Sequence, residues 1–112
     1  MDFTVTQEND TAVVKTNVAR LNATNAPELK AELFLLNKNN VNNIVIDMSS
    51  TLYCDSSGLS SLLVANRMCN EVNGKFVLCG LMPNVQKLIE IAQLDKVLTI
   101  VASDQEARAV IS

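Results

Sequence analysis

The 112-residue sequence contains no histidine and no tryptophan, and it has only three glycines and two prolines. Without histidine, a serine or cysteine nucleophile cannot be paired with an imidazole base, and a mixed histidine–cysteine zinc site cannot form. The few glycines build no phosphate-binding loop of the GxxxxGK(S/T) or GxGxxG type, and no serine occupies a GxSxG turn. The sequence therefore indicates a protein that is not an enzyme, and we expect neither a cofactor nor a metal site.

The three cysteines, Cys54, Cys69 and Cys79, form no CxxC pair. Such thiols are typical of a reducing cytoplasm, and we expect them to be buried or half-buried. No apolar run approaches the roughly 18 residues that span a bilayer. The first residues also lack the basic and apolar regions of a secretion signal. We therefore expect a cytoplasmic protein that is not inserted directly in a membrane.

What the sequence does contain is a large share of aliphatic residues, since 48% of the chain is hydrophobic and only 4% is aromatic. This amount is sufficient for a single core, and we predict one domain over residues 1–112. The net charge is −3, and the lysines and arginines are spread evenly along the chain. Because no basic stripe is present, we expect no nucleic acid partner.

Hydrophobic periodicity predicts an α/β fold with the element order ββαβαβαβα. The predicted strands are residues 3–7, 12–18, 44–46, 75–79 and 97–102. The first predicted helix is residues 26–37, preceded by capping residues at 22–25, and the second is residues 59–72. Pro83 opens a third helix. A Ser103–Glu106 capping box opens a short fourth helix through Ile111. Because strands and helices alternate after the opening hairpin, we expect a mixed sheet of about five strands packed with about four helices.

The second predicted helix, residues 59–72, has one apolar side and one polar side. The apolar side comprises Leu59, Leu62, Leu63, Cys69 and Val72, and the polar side comprises Ser60, Ser61, Asn66, Arg67 and Asn70. The pattern leaves open whether Val64 and Met68 are exposed or buried.

The most informative segment of the chain is Asp55-Ser56-Ser57-Gly58-Leu59. It follows the predicted buried strand 44–46 and opens the predicted helix 59–72, so two hydroxyls lie where a helix begins. Free backbone N–H groups and the helix dipole favour negative charge at such a point. An added phosphate would be held by the fold while it changed the outer surface sharply. Ser56 and Ser57 are therefore candidate regulatory phosphoserines.

The same residues have two other interpretations. Asp55, Ser56 and Ser57 before an amphipathic helix are also typical of an ordinary N-cap. Gly58 weakens a first helical turn by about 1 kcal/mol relative to alanine, which suggests that another group approaches its backbone closely. A nucleophile–base pair of Ser56 and Asp55 is disfavoured, because adjacent residues at a helix start usually cap.

Asp47 ends the predicted strand 44–46, where a receiver domain would carry its phosphoryl acceptor beside Mg²⁺. A receiver also needs an acidic pair after its first strand and a lysine after a late strand. Here Glu8 and Asp10 lie in a predicted hairpin turn, and Lys96 precedes the last predicted strand. We therefore interpret Asp47 as a cap for the turn that follows its strand.

The segment from Val45 to Leu59, with the order of the elements, closely resembles the STAS domain, the family of anti-sigma factor antagonists. The shared motif is an apolar strand, a short polar stretch and Asp-Ser-Ser-Gly-Leu at the start of a long helix. The resemblance covers essentially the full chain and includes the opening hairpin, Leu21-Asn22 before the first helix, the Asn73-Gly74-Lys75 turn and Pro83 at the third helix. It implies a single STAS-like domain.

The resemblance also implies a partner switch. Unphosphorylated members of the family bind an anti-sigma factor that is a serine kinase with a histidine-kinase-like ATPase fold, and this binding frees a sigma factor. The kinase phosphorylates the first serine after the motif aspartate, and a metal-dependent phosphatase reverses the modification. By motif position the acceptor is Ser56, with Ser57 as the second choice.

We expect helix 59–72 and the loop 22–24 to form the docking face. The expected partner-binding residues are Asn22, Thr24, Asp55, Ser57, Gly58 and Leu59. By the resemblance, Asp55 orients the hydroxyl or contacts the kinase, and Gly58 keeps the helix start open to the partner.

The chain departs from the family pattern before the first helix. Many members carry Gly-x-Leu-Asp there, whereas this chain has Ala19-Arg20-Leu21-Asn22. The missing carboxylate at Asn22 is expected to alter kinase contact or the rate of phosphorylation, and Ala19 indicates a slightly different turn.

An alternative function also follows from the resemblance. Some small STAS proteins are constitutive subunits that sit on the ATPase of a membrane lipid-transport complex and need no phosphorylation cycle. The complete Asp-Ser-Ser-Gly sequence in this chain favours the switch.

Overall fold

Strands and helices alternate along most of the chain in the computed structural model, which describes residues 2–111. The ends of the predicted domain, Met1 and Ser112, lie outside the described residues. The strands are β1 (Phe3–Glu8), β2 (Thr11–Thr16), β3 (Arg20–Leu21), β4 (Asn43–Asp47), β5 (Tyr53–Cys54), β6 (Phe76–Cys79) and β7 (Thr99–Val101). The helices are α1 (Ala26–Lys38), α2 (Ser56–Glu71), α3 (Pro83–Ile91) and α4 (Asp104–Ile111), with a 3-10 turn at Leu94–Lys96.

Five of the strands form one mixed sheet in the order β1-β2-β4-β6-β7. The first two strands are an antiparallel hairpin whose turn contains Asn9 at φ 54°, a conformation that asparagine tolerates. The remaining pairs are parallel because a helix connects each strand to the next. The other two strands, β3 and β5, pair with each other in a separate parallel ladder.

The sheet is covered by helices on both faces. The main core lies on one face, where apolar residues of α1, α2 and α3 pack on alternate residues of β2, β4 and β6. A smaller cluster on the other face joins Ala107 of α4 to Val45, Val77 and Cys79. Burial on both faces explains why β4 and β6 are continuous apolar runs instead of alternating sequences.

The predicted α/β fold, its mixed five-stranded sheet and its four helices are confirmed. The prediction missed the two short strands β3 and β5 and the 3-10 turn. It also began the last strand too early, because the Val97 and Leu98 N–H groups bond to the Leu94 carbonyl oxygen and extend that turn. Val97 is consequently 59% exposed instead of buried in the sheet.

The predicted faces of the second helix were wrong at three positions. Ser61 is fully buried, and its hydroxyl donates to the carbonyl oxygens of Ser57 (3.2 Å) and Ala26 (3.4 Å). A small hydroxyl with its hydrogen bond satisfied fits the close contact between α1 and α2 better than a leucine would. Leu63 and Val72 lie outside that contact and are 38% and 40% exposed.

The two positions that the pattern left open are now placed. Met68 is buried in the main core, and Val64 is half-buried against it.

None of the helices within residues 2–111 combines the length and the apolar character that crossing a membrane requires.

Candidate functional site

The first turn of α2 is capped by a carboxylate and not by either serine. Asp55 is the N-cap residue, and its Oδ1 accepts a hydrogen bond from the Gly58 N–H at 3.0 Å. The Asp55 carbonyl oxygen accepts the first helical hydrogen bond from the Leu59 N–H at 2.9 Å. An aspartate here satisfies one otherwise free N–H and complements the positive end of the helix dipole.

Both serine hydroxyls at the start of α2 are left unused by the part of the fold that the structure describes. Ser56 is the first residue of α2 and is exposed, whereas Ser57 is half-buried. Within residues 2–111, neither hydroxyl makes a side-chain hydrogen bond, although the Ser57 carbonyl oxygen accepts one from Ser61. The N-cap interpretation therefore applies to Asp55, and the phosphoserine interpretation concerns Ser56 and Ser57.

The two short strands hold the capping residue in place. Arg20 pairs with Tyr53 and Leu21 with Cys54 in the β3–β5 ladder. One residue further on, the Asp55 N–H donates to the Leu21 carbonyl oxygen at 3.2 Å. The position of the α2 N-terminus is thus fixed by backbone hydrogen bonds to the segment that precedes α1.

A buried pair of threonines anchors the loop between β4 and β5. Thr51 Oγ1 donates to the Val18 carbonyl oxygen at 2.8 Å, so the hydroxyl of Thr16 donates the 2.7 Å bond that joins it to Thr51 Oγ1. Both threonines are fully buried. This pair was not predicted from the sequence, where its one signal is that Thr16 continues the alternation of β2 after Ala12 and Val14.

The loop before α1 is organised by asparagine side chains. Asn22 Oδ1 accepts from the Thr24 N–H at 3.0 Å, and Asn25 Oδ1 accepts from the Asn22 N–H at 2.9 Å. The expected side-chain cap for α1 was wrong, because the Asn25 side chain folds back to Asn22 and to the Arg20 carbonyl oxygen. The Asn22 carbonyl oxygen instead accepts from the Ala26 N–H at 2.8 Å. Asn22 is half-buried and Thr24 is exposed.

A shallow depression of about 260 Å³ lies between the first turns of α1 and α2. Its lining residues are Ala23, Ala26, Pro27, Lys30, Ser56, Ser57 and Ser60. The structure therefore brings both predicted serines next to the loop that contains Asn22 and Thr24. Lys30 is the one charged residue in this lining, and no sequence motif indicates it.

The remaining two predicted site residues face inward. Gly58 is buried, and a Cβ atom there would lie 2.5 Å from Cys54 Sγ and 2.8 Å from the Leu21 carbonyl oxygen. The close approach inferred from this glycine therefore comes from the same chain. Leu59 is half-buried and packs against the main core.

The thiol of Cys54 lies beside the capping carboxylate. Burial, and secondarily the negative charge of Asp55, raises the pKa of this thiol from 9.0 to about 12. The thiol is therefore protonated and a poor nucleophile at neutral pH. Burial likewise raises the pKa of Cys69 to about 11 and that of Cys79 to about 12, as expected for structural thiols.

The predicted role of Asp47 as a turn cap is confirmed, since its Oδ1 accepts from the Ser49 N–H at 2.9 Å. The acidic residues that a receiver would need beside it are elsewhere. The backbone carbonyl oxygen of Asp10 accepts from the N–H of Asn43, which places Asp10 at the opposite end of β4 from Asp47. The structure therefore gives Asp47 no acidic pocket from the hairpin turn.

One exposed contact near the helix start was not predicted. The Arg20 guanidinium lies 4.8 Å from the centre of the Tyr53 ring, in a cation–π arrangement. Both residues line a depression of about 310 Å³ that extends to Asn22 and Asp55. The pairing depends on the register of β3 against β5, which two-residue strands do not reveal in sequence.

Comparison with known proteins gives consistent results for fold and family. The model of the STAS domain family matches residues 3–107 of this chain. A protein of Bordetella bronchiseptica, described as the anti-sigma factor antagonist BtrV, is 33% identical over 89 residues, which are 80% of this chain and 76% of that protein.

Solved structures extend the similarity at lower identity. A Thermotoga maritima protein described as an anti-sigma factor antagonist superposes with a TM-score of 0.90 at 22% identity and covers 97% of this chain and 93% of its own. The unphosphorylated form of the anti-sigma factor antagonist SpoIIAA has a TM-score of 0.82 at 19% identity, over 96% of this chain and 95% of its own. The phosphorylated form of SpoIIAA from Bacillus has a TM-score of 0.75 at 18% identity, over 96% of this chain and 98% of its own. At these identities the likeness shows the fold alone.

Proposed function

The chain belongs to the STAS domain family, and from this premise we propose that it is an anti-sigma factor antagonist that acts by partner switching instead of by catalysis. In this account the unphosphorylated protein binds an anti-sigma factor and so frees a sigma factor. Phosphorylation of Ser56 releases the anti-sigma factor. The proposed setting is the cytoplasm, with no nucleic acid contact and no direct membrane insertion.

The observation that carries this proposal is the free hydroxyl of Ser56. Because Asp55 supplies the helix cap, Ser56 can be modified without the loss of a hydrogen bond that holds α2. The residue is exposed at the first position of the helix, where a kinase can reach it. Ser57 is the second choice because it is half-buried.

A phosphate at Ser56 would affect the fold and the partner differently. It carries a charge of about −1.5 to −2 near pH 7. The free N–H groups of the first turn and the helix dipole favour such a charge, so the fold should tolerate it. A partner surface matched to a neutral hydroxyl beside Asp55 would not tolerate it, because like-charge contact across an interface costs several kcal/mol.

The other predicted site residues have distinct roles in this account. Asn22 and Thr24 belong to the docking face that α2 forms with the loop before α1, and the half-buried Leu59 supports this face from the core side. Gly58 acts from inside, because it lets the helix start pack closely on Leu21 and Cys54. Asp55 fixes the first turn and so orients the hydroxyl of Ser56.

Two further partners belong to the proposed cycle. The anti-sigma factor is a serine kinase with a histidine-kinase-like ATPase fold, and a metal-dependent serine phosphatase restores the free hydroxyl. No bound cofactor is required in the antagonist itself, since the kinase supplies the nucleotide and the phosphatase supplies the metal.

Affinity capture from the native host tests the proposal. Tagged parent protein, Ser56→Ala and Ser56→Glu are used side by side, with Gln105→Glu as a control that adds the same charge to α4 on the other face of the sheet. We expect a histidine-kinase-like ATPase to be captured by the parent, by Ser56→Ala and by Gln105→Glu, and to be lost with Ser56→Glu.

Capture of that ATPase in equal amounts by Ser56→Ala and Ser56→Glu would contradict the switch. Equal capture of transporter subunits by both variants would instead support a constitutive subunit of a lipid-transport ATPase complex. In that case Ser56 would be only the first residue of α2.

A further inference from the structure

We infer that Lys30 of α1 pairs with the phosphoryl group on Ser56, so that the phosphoserine is held between two helices. This inference rests on the proposed phosphorylation of Ser56 and adds a residue that holds the modified form. It assigns to α1 a part in the switch, whereas the Asp-Ser-Ser-Gly motif accounts only for the residues around the start of α2.

The position of Lys30 supports the pairing. Lys30 and Ser56 line the same depression of about 260 Å³, one from each helix. The other lining residues are small or uncharged, so nothing else in the depression carries charge. A phosphoryl group has three acceptor oxygens, and an ammonium has three donors, which suits a contact across this space.

The ammonium of Lys30 has no competing partner in the described part of the chain. Within residues 2–111, it makes no ion pair and no side-chain hydrogen bond, in contrast to Lys75, which donates to the Val110 carbonyl oxygen at 3.0 Å. Neighbours three and four positions away on a helix are the ones that pair, and for Lys30 none of them is acidic. They are Ala26, Pro27, Leu33 and Phe34.

Burial and local charge increase the effect of the pairing. Lys30 is half-buried, so its charge is screened less by solvent than that of a fully exposed lysine. Asp55, the residue before Ser56, carries a carboxylate at the same helix start, and it opposes a phosphate by like-charge repulsion. Lys30 is the group in the depression that offsets this repulsion.

The test measures the second ionisation of the phosphate directly. Phosphoserine is installed at position 56 during biosynthesis, and its pKa is measured by phosphorus NMR in otherwise unchanged protein, in Lys30→Gln and in Lys30→Arg. Lys38→Gln is the matched control, since Lys38 is an exposed lysine in the last turn of the same helix. We expect the pKa of the phosphate to rise by about half a unit in Lys30→Gln and to stay unchanged in Lys30→Arg and in Lys38→Gln.

The inference is overturned if Lys30→Gln titrates like the parent while both proteins give the same folded circular dichroism spectrum. It is also overturned if Lys38→Gln raises the pKa as much as Lys30→Gln does, because a general charge effect would then explain the shift. The phosphate is installed without a kinase, so this result does not depend on the capture experiment, which tests the partner switch itself.

Discussion

At the scale of single residues, the start of α2 separates two tasks that the sequence left combined. Asp55, Ser56 and Ser57 are all residues that cap helices, and their order alone does not tell which of them does so. The structure assigns the cap to Asp55 and leaves the hydroxyls of the serines free. The presence of a site could be predicted from the motif, but the division of roles depends on backbone geometry.

Removing the cap should destabilise the fold, whereas removing the hydroxyl should not. Asp55→Ala loses the hydrogen bond to the Gly58 N–H, and we expect it to lower the free energy of unfolding by about 1 kcal/mol. Ser56→Ala removes no hydrogen bond and should lie close to the parent. Urea unfolding of the two variants checks this, and equal stability of both would mean that Asp55 is not the effective cap.

Gly58→Ala should reverse the usual effect of replacing a helical glycine by alanine. Alanine favours the helix by about 1 kcal/mol, but its Cβ atom would lie 2.8 Å from the Leu21 carbonyl oxygen and closer still to Cys54 Sγ. We expect a net loss of about 1–3 kcal/mol in the free energy of unfolding, as for other overpacked sites. Asn70→Ala, at an exposed position of the same helix, is the control and should be neutral or slightly stabilising. A more stable Gly58→Ala variant would contradict the packing.

The thiol of Cys54 should make stability fall at alkaline pH. Its pKa is about 12 in the folded chain, against an ordinary value of 9.0, so above pH 9 the unfolded chain releases a proton that the folded chain keeps. The stabilising contribution is therefore present below pH 9 and is lost as the pH rises towards 12.

Comparison of the parent with Cys54→Ala isolates the contribution of this thiol from that of every other group in the chain. We expect the parent to lose stability relative to Cys54→Ala in urea unfolding between about pH 8 and pH 11. A difference between the two proteins that is independent of pH would mean that the thiol titrates normally in the fold.

At the scale of elements, the long periodic segments were predictable and the short ones were not. The helices α1, α2 and α3 each repeat apolar residues at helical spacing, and the continuous apolar runs of β4 and β6 mark buried parallel strands. Strands of two residues, such as β3 and β5, show no period at all. They exist because the register of the surrounding chain brings their backbones together, and they set the position of the helix that begins at Ser56.

The inward face of α2 was misjudged for a related reason. A hydrophobicity pattern assigns serine to the solvent side, but Ser61 lies at the contact with α1 and satisfies its hydroxyl on backbone carbonyl oxygens. Which polar residue is buried depends on the partner helix, and a single segment does not contain that information. The close contact of α1 and α2 in turn produces the depression where Ser56 and Lys30 meet.

The buried threonines that join β2 to the loop before β5 should be energetically coupled. Thr51→Val loses the hydrogen bonds to Thr16 Oγ1 and to the Val18 carbonyl oxygen, and should lower the free energy of unfolding by about 1–3 kcal/mol. Thr16→Val leaves Thr51 without its 2.7 Å partner and should also destabilise the fold.

A double-mutant cycle measures the coupling of this pair. The double variant should lose less free energy of unfolding than the sum of the losses in the two single variants. The reason is that the second substitution no longer leaves a buried hydroxyl without its partner. Urea unfolding of all four proteins provides the measurement. Strict additivity would show that the two hydroxyls do not interact.

At the scale of the whole molecule, the candidate site lies on the side of the sheet that α1 and α2 cover, away from the face that α4 covers. The β4–β5 loop, the β3–β5 ladder and the N-terminal turns of α1 and α2 come together on one side, and α4 covers the opposite face of the sheet. The family and the general architecture followed from the motif and the order of elements, which the family match over residues 3–107 supports. The lysine in the depression did not follow, because it is contributed by a helix that the motif does not include.

The molecule thus combines a closely packed scaffold with an exposed hydroxyl, that of Ser56, which makes no side-chain hydrogen bond within residues 2–111. Buried hydrogen bonds and close packing fix the backbone around Ser56, and none of them uses its side chain. A charge added there should therefore alter the surface that a partner meets while the fold persists. Partner switching through Ser56 depends on this combination.

Partner switching at Ser56 is tested directly by measuring the affinity of the proposed partner, a histidine-kinase-like ATPase, for three purified proteins. These are the unmodified chain, the chain with phosphoserine installed at position 56, and a control with phosphoserine installed in place of Gln105 on α4. We expect phosphoserine at position 56 to weaken binding about a thousandfold and the control to bind like the unmodified chain. Equal affinity of the unmodified chain and the chain with phosphoserine at position 56 would contradict partner switching through Ser56.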